Sequence, residues 1–300
     1  MHVTTAVVPV AGLGSRLLPA TKSQPKEMLP VGGKPVVQHV VEELAAAGTQ
    51  RIVFVTGRGK GAIEDHFDRD GLLTAMLERR EAAELLERLA FERMGISYAY
   101  VRQPAPRGLG DALLCAEGLT GDGPFAVALG DAILGTRERP AIIAALADAL
   151  RRHGAACAVA VRDVPRAHTG RYGIVTTADD QDASRIVAIV EKPDPASTPS
   201  TLAVAARYVM TPLIFQALRE TPAGASGEVE LTDAIARLIA GGELVVAVRL
   251  HDVERHDVGT HESYAAAFLA FALTDPEHGE RTRALARSLL AAHGDRSRAR

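Results

Sequence analysis

Residues 3–30 read VTTAVVPVAGLGSRLLPATKSQPKEMLP, an apolar run that empties into a turn carrying Gly12, Gly14 and the cations Arg16, Lys22 and Lys26. Without a Cβ in the way, backbone N–H groups at the glycines can approach phosphate oxygens, and the side chains add positive charge. A plain tight turn would explain the glycines alone. It does not explain so many cations beside an apolar neighbourhood, which are costly there unless an anion lies between them. A complementary pair of acids lies downstream. Asp131 follows the apolar run 125–129 at its carboxyl end, where open α/β sheets place ligands, and Asp257 likewise ends a short strand-like segment. Two carboxylates together with phosphate oxygens suit Mg²⁺, although turns and helix caps also use aspartate.

Two better-known phosphate loops do not fit. A dinucleotide fingerprint needs a third glycine where Leu17 stands, and an acid at the end of the second strand, which instead closes Val55-Thr56-Gly57. The Gly-Lys-Ser/Thr sequence of a P-loop does not occur in this turn either.

The elements that must position these groups follow from periodicity. Residues 3–10 are β-rich. Pro35 opens a helical spacing of Val36, Val37, Val40, Val41 and Leu44 that stops at Gly48, and 51–56 is the next strand. A β, loop, α, β opening implies a parallel crossover. Residues 72–94 form an amphipathic helical insertion with a bend near Arg80, followed by a strand at 96–102, a Pro/Gly loop, a helix at 111–119 and the strand 125–129. After an alanine-rich helix at 138–152 the chain becomes β-rich: 156–162, then 171–177 and 186–191 as paired strands around the turn 178–183, then 202–210. Helices near 212 and 231–239, a strand at 244–250, a helix capped by Thr260 and a last helix at 276–293 complete it, with RSRAR as a frayed tail. The fold class is α/β, a Rossmann-like mixed, mainly parallel sheet flanked by helices. A domain of residues 1–275, with parts at about 1–135 and 155–260, is expected to be followed by a C-terminal helix and tail at 276–300.

Composition narrows the class. A chain of 300 residues that is 47% hydrophobic can bury a sizeable core, and a net charge of −3 offers no global attraction to nucleic acid or an anionic membrane. Cys115 and Cys157 are too few for a disulfide framework or a cysteine metal cluster and read as small buried hydrophobes. With no signal-like start and no apolar run of about 18 residues, a soluble cytoplasmic protein is expected.

The segment A-G-L-G-S-R-L-L-P-A-T-K at 11–22, followed by P-K-E-M-L-P at 25–30, resembles the signature of the sugar-phosphate nucleotidyltransferases. The likeness continues through T-G-R-G-K at 56–60, A-I-E-D-H-F-D at 62–68, V-R-Q at 101–103, G-L-G at 108–110, V-E-K-P at 190–193 and E-L-T-D-A-I at 230–235. The insertion after Phe67 resembles the uridylyltransferase branch, whereas D-V-G-T-H-E-S at 257–263 looks like the thymidylyltransferases.

The resemblance implies a nucleotide-diphospho-sugar transferase fold and uridylyl transfer from UTP to glucose 1-phosphate. The same chemistry with dTTP or another sugar 1-phosphate is the alternative; a non-catalytic nucleotide-binding regulator is the alternative of a different class. It implies that Ala11, Gly12, Gly14, Arg16 and Lys26 hold the triphosphate, with Gln103 and Gly108 at the base. Tyr172, Gly173, Glu191 and Lys192 would hold the sugar phosphate, and Asp131 and Asp257 the Mg²⁺. Arg16, Lys26, Asp131 and Lys192 would be the catalytic set. No general base is needed, since a sugar phosphate oxygen is already anionic, so His39, His66, His168 and His256 need no catalytic role. A homodimer or homotetramer is also implied; Tyr264, Phe268, Leu269, Phe271 and Leu273 would serve a subunit contact or the core equally well. Departures from the pattern gather near base and sugar: Asp111 where the uridylyltransferases usually carry His, Thr201 for Asn, and Ala206 for Gly before Arg207-Tyr208.

Overall fold

The computed structural model describes residues 3–136, 141–179, 183–224 and 227–298. The apolar opening forms β1 (Thr5–Pro9), and after the glycine-rich turn a small ribbon, β2 (Pro30–Val31) and β3 (Lys34–Pro35), leads into α1 (Val36–Ala46). Pro35 precedes the first turn of α1, and the valines at helical spacing are all buried. Next come β4 (Arg51–Thr56) and α2 (Gly61–Phe67). The insertion is not one bent helix: α3 (Gly71–Arg79) and α4 (Ala83–Arg88) are separated where Glu81 takes a positive φ of 54°.

The chain then forms β5 (Ser97–Arg102), α5 (Leu109–Thr120), β6 (Phe125–Ala128), β7 (Ala132–Leu134) and α6 (Ile142–His153); residues 138–140 of the helix expected there lie outside the described residues. The β-rich middle comprises β8 (Cys157–Asp163), β9 (Gly173–Thr177), β10 (Ala183–Glu191) and β11 (Leu202–Met210). Residues 180–182 of the turn expected between β9 and β10 also lie outside the description. After α7 (Leu213–Glu220), α8 (Leu231–Ala240), β12 (Val245–Arg249) and β13 (Arg255–Asp257), α9 (His261–Thr274) starts on a Thr260–Ser263 capping box. Finally α10 (Gly279–Arg298) runs past the expected 293, into the segment expected to fray; residues 299–300 are outside the description.

The main sheet has the order β5-β4-β1-β6-β11-β8-β12-β10-β9. From β5 to β6 every pairing is parallel. Beyond β6 the sheet turns mixed, because β11 runs antiparallel to both β6 and β8 and β10 antiparallel to both β12 and β9. Strands buried on both faces explain the near-continuous apolar runs. Val7, Val53 and Val127 pack with α5, α7 and α8 on one face, while Ala6, Val8 and Phe54 pack with α1 and α6 on the other.

A third, smaller cluster joins Leu17, Val31, Val36, Ile133 and Val258 to Ala267 and Phe271 of α9. Here is the reason no third glycine stands in the phosphate-type turn: Leu17 is the apolar peg that anchors it. Cys157 is buried as expected, but Cys115 is only partly so. His39 bonds to the carbonyl of Val31, and His66 to the amide oxygen of Gln38. No helix among the described residues is long and apolar enough to cross a membrane.

Strand β11 carries an irregularity between Val204 and Tyr208, where Ala206 adopts φ 60°. The bulge turns Arg207 into the interior, fully buried, where it is clamped by both carboxylate oxygens of Glu43 at 2.8 and 2.6 Å and donates to the carbonyl of Ala132 at 2.9 Å. This ties α1 to the residue after Asp131. Neutralising one partner leaves the other charge buried without compensation, so Glu43→Gln should cost about 3–5 kcal/mol of stability in urea unfolding.

Candidate active site

Strand β1 lies at the point where the connections reverse, with β4 on one side and β6 on the other. Ligands in open α/β sheets bind in the crevice at such a reversal, beyond the carboxyl ends of the strands. The loop after β1 and the Leu129-Gly130-Asp131 turn after β6 meet there. Their approach needs glycine: a Cβ at Gly130 would stand 2.5 Å from a methyl of Val10. Gly14 takes φ 67°, and its carbonyl accepts from the Thr21 hydroxyl and the Leu17 amide. The turn therefore curls back on itself and brings the Lys26 ammonium to 2.5 Å from Asp131 Oδ2. A Cβ on Gly12 would be 3.8 Å from Lys26 Nζ, and one on Gly259 would be 3.4 Å from the Arg16 guanidinium. Ala11 lines the same turn, and a Cβ on Gly57 would stand 3.0 Å from its carbonyl oxygen.

Behind Lys26, Glu27 and Lys60 form a buried pair at 2.7 Å. Charges thus alternate from Lys60 through Glu27 and Lys26 to Asp131. Burial works against ionisation of Asp131, but Lys26, with Arg255 beyond it, outweighs burial and holds its carboxyl below the usual range. Burial likewise opposes the Lys26 charge and is outweighed by Asp131 and Glu27, so its ammonium stays protonated above the ordinary value. Burial pushes the carboxyl of Glu27 up despite Lys60 and Lys26.

The native pKa of Asp131 lies below the unfolded one, so its contribution is present above about pH 4 and is lost on acidification through the native value. Urea midpoints measured from pH 6 down to 3 should fall less steeply for Asp131→Asn than for the wild type.

Asp257 arrives from β13, which pairs antiparallel with β7 so that Asp257 sits opposite Ala132; the amide of Val258 donates to the carbonyl of Asp131 at 2.8 Å. Arg255, two residues earlier on the strand, binds Asp257 Oδ1 through Nε at 2.9 Å and Nη2 at 2.8 Å. Its guanidinium carbon lies 4.8 Å from the centre of the Tyr172 ring. Arg255 was not among the residues singled out from the sequence. The signal for it is the i, i+2 spacing of Arg255 and Asp257, which puts both on one side of a strand.

Across the crevice, Tyr172, Gly173, Glu191, Val204, Ala206, Thr232 and Arg255 line a cleft of 140 Å³. Glu191 pairs with Gly173 in the β10–β9 ladder, and its Oε2 accepts from the Thr232 hydroxyl at 3.1 Å. A Cβ at Gly173 would meet the Thr232 methyl at 2.7 Å, so this glycine makes room for α8. Lys192 has φ 41°, a left-handed conformation uncommon outside glycine, and its backbone N–H donates a hydrogen bond to the Tyr172 carbonyl there. Its ammonium lies 3.1 Å from Glu191; burial opposes its charge, but Glu191, Glu230 and Glu228 prevail and keep it protonated. Larger clefts of 750 and 740 Å³ lie against α9 and share no lining residue with this one.

The remaining predicted residues cluster beyond β5. Gln103 is buried and donates from Nε2 to Asp111 and to the carbonyl of Gly108. Gly108 has φ 99°, and a Cβ there would stand 2.6 Å from the Val229 carbonyl. The amide of Gly110 bonds to that carbonyl and the amide of Val229 to Arg107, so this loop is zipped onto the segment that leads to Glu230 and Thr232.

A glycine-rich turn with cations, two strand-end carboxylates and a cleft lined by Tyr172 and Glu191 suit an enzyme of phosphoryl-type group transfer, and the chain belongs to the nucleotidyl transferase family, whose model matches residues 5–273. It is 42% identical over 278 residues to the UTP–glucose-1-phosphate uridylyltransferase of Bacillus subtilis (strain 168), covering 92% of this chain and 93% of that one. The UTP-bound UGPase of Acinetobacter baumannii superposes with a TM-score of 0.86 at 36% identity, over 96% of this chain and 99% of that one. A UDP-glucose pyrophosphorylase complexed with UDP-glucose gives 0.79 at 33% identity, over 90% and 98%.

Proposed function

We propose that the chain transfers the uridylyl group of UTP to glucose 1-phosphate, giving UDP-glucose and pyrophosphate by direct in-line attack. The observation that carries this reading is the Lys26–Asp131 contact at the strand reversal, linked through Asp257 and Arg255 to the cleft lined by Tyr172 and Glu191. The relatives named above, called after UTP, glucose 1-phosphate and UDP-glucose, support the substrate pair.

In this reading Gly12, Gly14 and Arg16 bind the triphosphate, and Lys26 leaves Asp131 to neutralise charge building on the α-phosphate and departing pyrophosphate. Lys192 holds the phosphate of the sugar with an oxygen aimed at the α-phosphorus, Glu191 and the Tyr172-Gly173 backbone take the sugar hydroxyls, and Gln103 meets the base. The P–O bond to pyrophosphate breaks as the bond to the sugar phosphate forms; no proton need be removed from the nucleophile.

The donor set at Asp131 and Asp257 fits Mg²⁺. Lys26 occupies only Oδ2 of one carboxylate and Arg255 only Oδ1 of the other, which leaves an oxygen of each turned from those cations, suited to a hard ion that keeps most of its waters. Bound there, the ion would supply charge neutralisation on the phosphates. The nucleotide-binding part at about 1–135 and the sugar part at about 155–260 then meet along this crevice. A cytoplasmic location suits the UTP supply, and the exposed Phe268 and Leu269 on α9 support a dimer or tetramer, which sedimentation would check.

The test is a matrix of UTP, dTTP, CTP, ATP and GTP against hexose 1-phosphates, assayed for pyrophosphate with and without Mg²⁺. UTP with glucose 1-phosphate should be the fastest pair, and only with the metal. Faster turnover with dTTP would overturn the uridylyl assignment, and no turnover with any pair would overturn the enzyme reading.

A further inference from the structure

Asp111 occupies the third residue of α5, where the helix N-terminus favours a negative group, and it is largely buried. Its Oδ2 accepts from Gln103 Nε2 at 2.7 Å, and its Oδ1 from Arg107 Nε at 3.1 Å and Nη2 at 2.8 Å. The second hydrogen of the Gln103 amide goes to the Gly108 carbonyl at 3.1 Å. Both neighbours of that amide are acceptors only, a carboxylate and a carbonyl, so the nitrogen end must face them. The oxygen Oε1 is thereby turned the other way, and the backbone amide of Gln103 is itself tied to the Thr56 carbonyl at 2.8 Å.

We propose that Asp111 is a specificity-positioning residue: with Arg107 holding it in place, it locks the Gln103 amide so that only an acceptor is offered to the base. The proposal rests on Gln103 meeting the base, as stated above. A locked acceptor pairs with a ring nitrogen that carries hydrogen, as N3 of uracil and thymine does, and repels the lone pair that cytosine presents at that position. An unlocked glutamine could rotate by half a turn and offer its NH₂ to cytosine instead. A neutral Asn at 111 presents either end of its own amide, so the lock is lost while the volume is kept.

The experiment measures UTP and CTP binding by titration calorimetry in the presence of Mg²⁺, without sugar phosphate, for the wild type and for Asp111→Asn, Arg107→Ala and Gln103→Ala. The preference for UTP over CTP should fall roughly tenfold in Asp111→Asn. The loss should be smaller in Arg107→Ala, an exposed residue whose removal leaves the fold intact. In turnover assays KM for UTP should rise while kcat with saturating UTP changes less than about threefold, because the reacting phosphates are untouched. An unchanged UTP/CTP ratio in both Asp111→Asn and Arg107→Ala, or an equal loss of both nucleotides, would overturn the lock while leaving the base site standing. If Gln103→Ala keeps the wild-type affinity for UTP, the base-site reading itself fails and the lock with it.

Discussion

Replacing Lys26 with alanine should lower kcat for UDP-glucose formation by about 10²–10³-fold, the usual cost of removing one preorganised group that stabilises charge in a transition state. The ammonium is already in the crevice before substrate arrives, held at 2.5 Å by Asp131 and kept charged by Asp131 and Glu27 against the effect of burial. In the proposed reaction its interaction with phosphate would grow as negative charge moves toward pyrophosphate, so kcat should suffer more than KM. Stability should change much less. The side chains of the pair remain 15% and 27% accessible, and water screens the carboxylate left behind, so the loss in urea unfolding should be about 1–2 kcal/mol. Steady-state kinetics with parallel denaturation curves checks this; equal losses of turnover and stability would make Lys26 a structural residue.

A comparable loss is expected at the other end of the contact. Asp131→Asn keeps the shape and an oxygen for Lys26 but removes the charge that suits a divalent cation, so turnover at moderate Mg²⁺ should fall about 10²-fold or more. Raising the Mg²⁺ concentration should recover part of the rate, because the change weakens metal affinity as well as chemistry. Asp257→Asn should show the same recovery with a smaller loss, since Arg255 still pins the residue through its remaining oxygen. Neither variant should alter the proposed preference for UTP over CTP, which we assign to groups beyond β5. A loss at Asp131→Asn that is indifferent to Mg²⁺ would speak against the metal reading.

Much of the fold was legible because each layer left its own mark. The valine spacing after Pro35 gave α1, the doubly buried strands read as unbroken apolar runs, and Thr260 marked the start of α9 through its capping box. The insertion was only half legible: its apolar stripe is real, but the break at Glu81 is a backbone event with no glycine or proline to announce it. Asp131 could be singled out because it follows a buried strand at its carboxyl end, where open α/β sheets place ligands, although turns and helix caps use aspartate as well.

The electrostatic scaffold was harder to see. Glu43 and Arg207 are 164 residues apart and meet only because a bulge at Ala206 turns Arg207 inward. Ala206 itself stood out as a departure, and its φ of 60° shows why glycine suits that position. Glu27 and Lys60 each lie in a quoted motif, yet nothing in one dimension says that they pair. Asp111 looked like a lost residue in sequence and proves to be bonded to both Gln103 and Arg107.

The central claim is that the phosphate held by Lys192 attacks the nucleotide held by Lys26 directly, with no residue of the chain carrying the uridylyl group between them. Exchange of labelled pyrophosphate into UTP tests this in a single measurement. Label should enter UTP only when glucose 1-phosphate or UDP-glucose is present with Mg²⁺. Label entering UTP at a comparable rate with no sugar compound present would mean a covalent uridylyl-enzyme and would contradict direct attack.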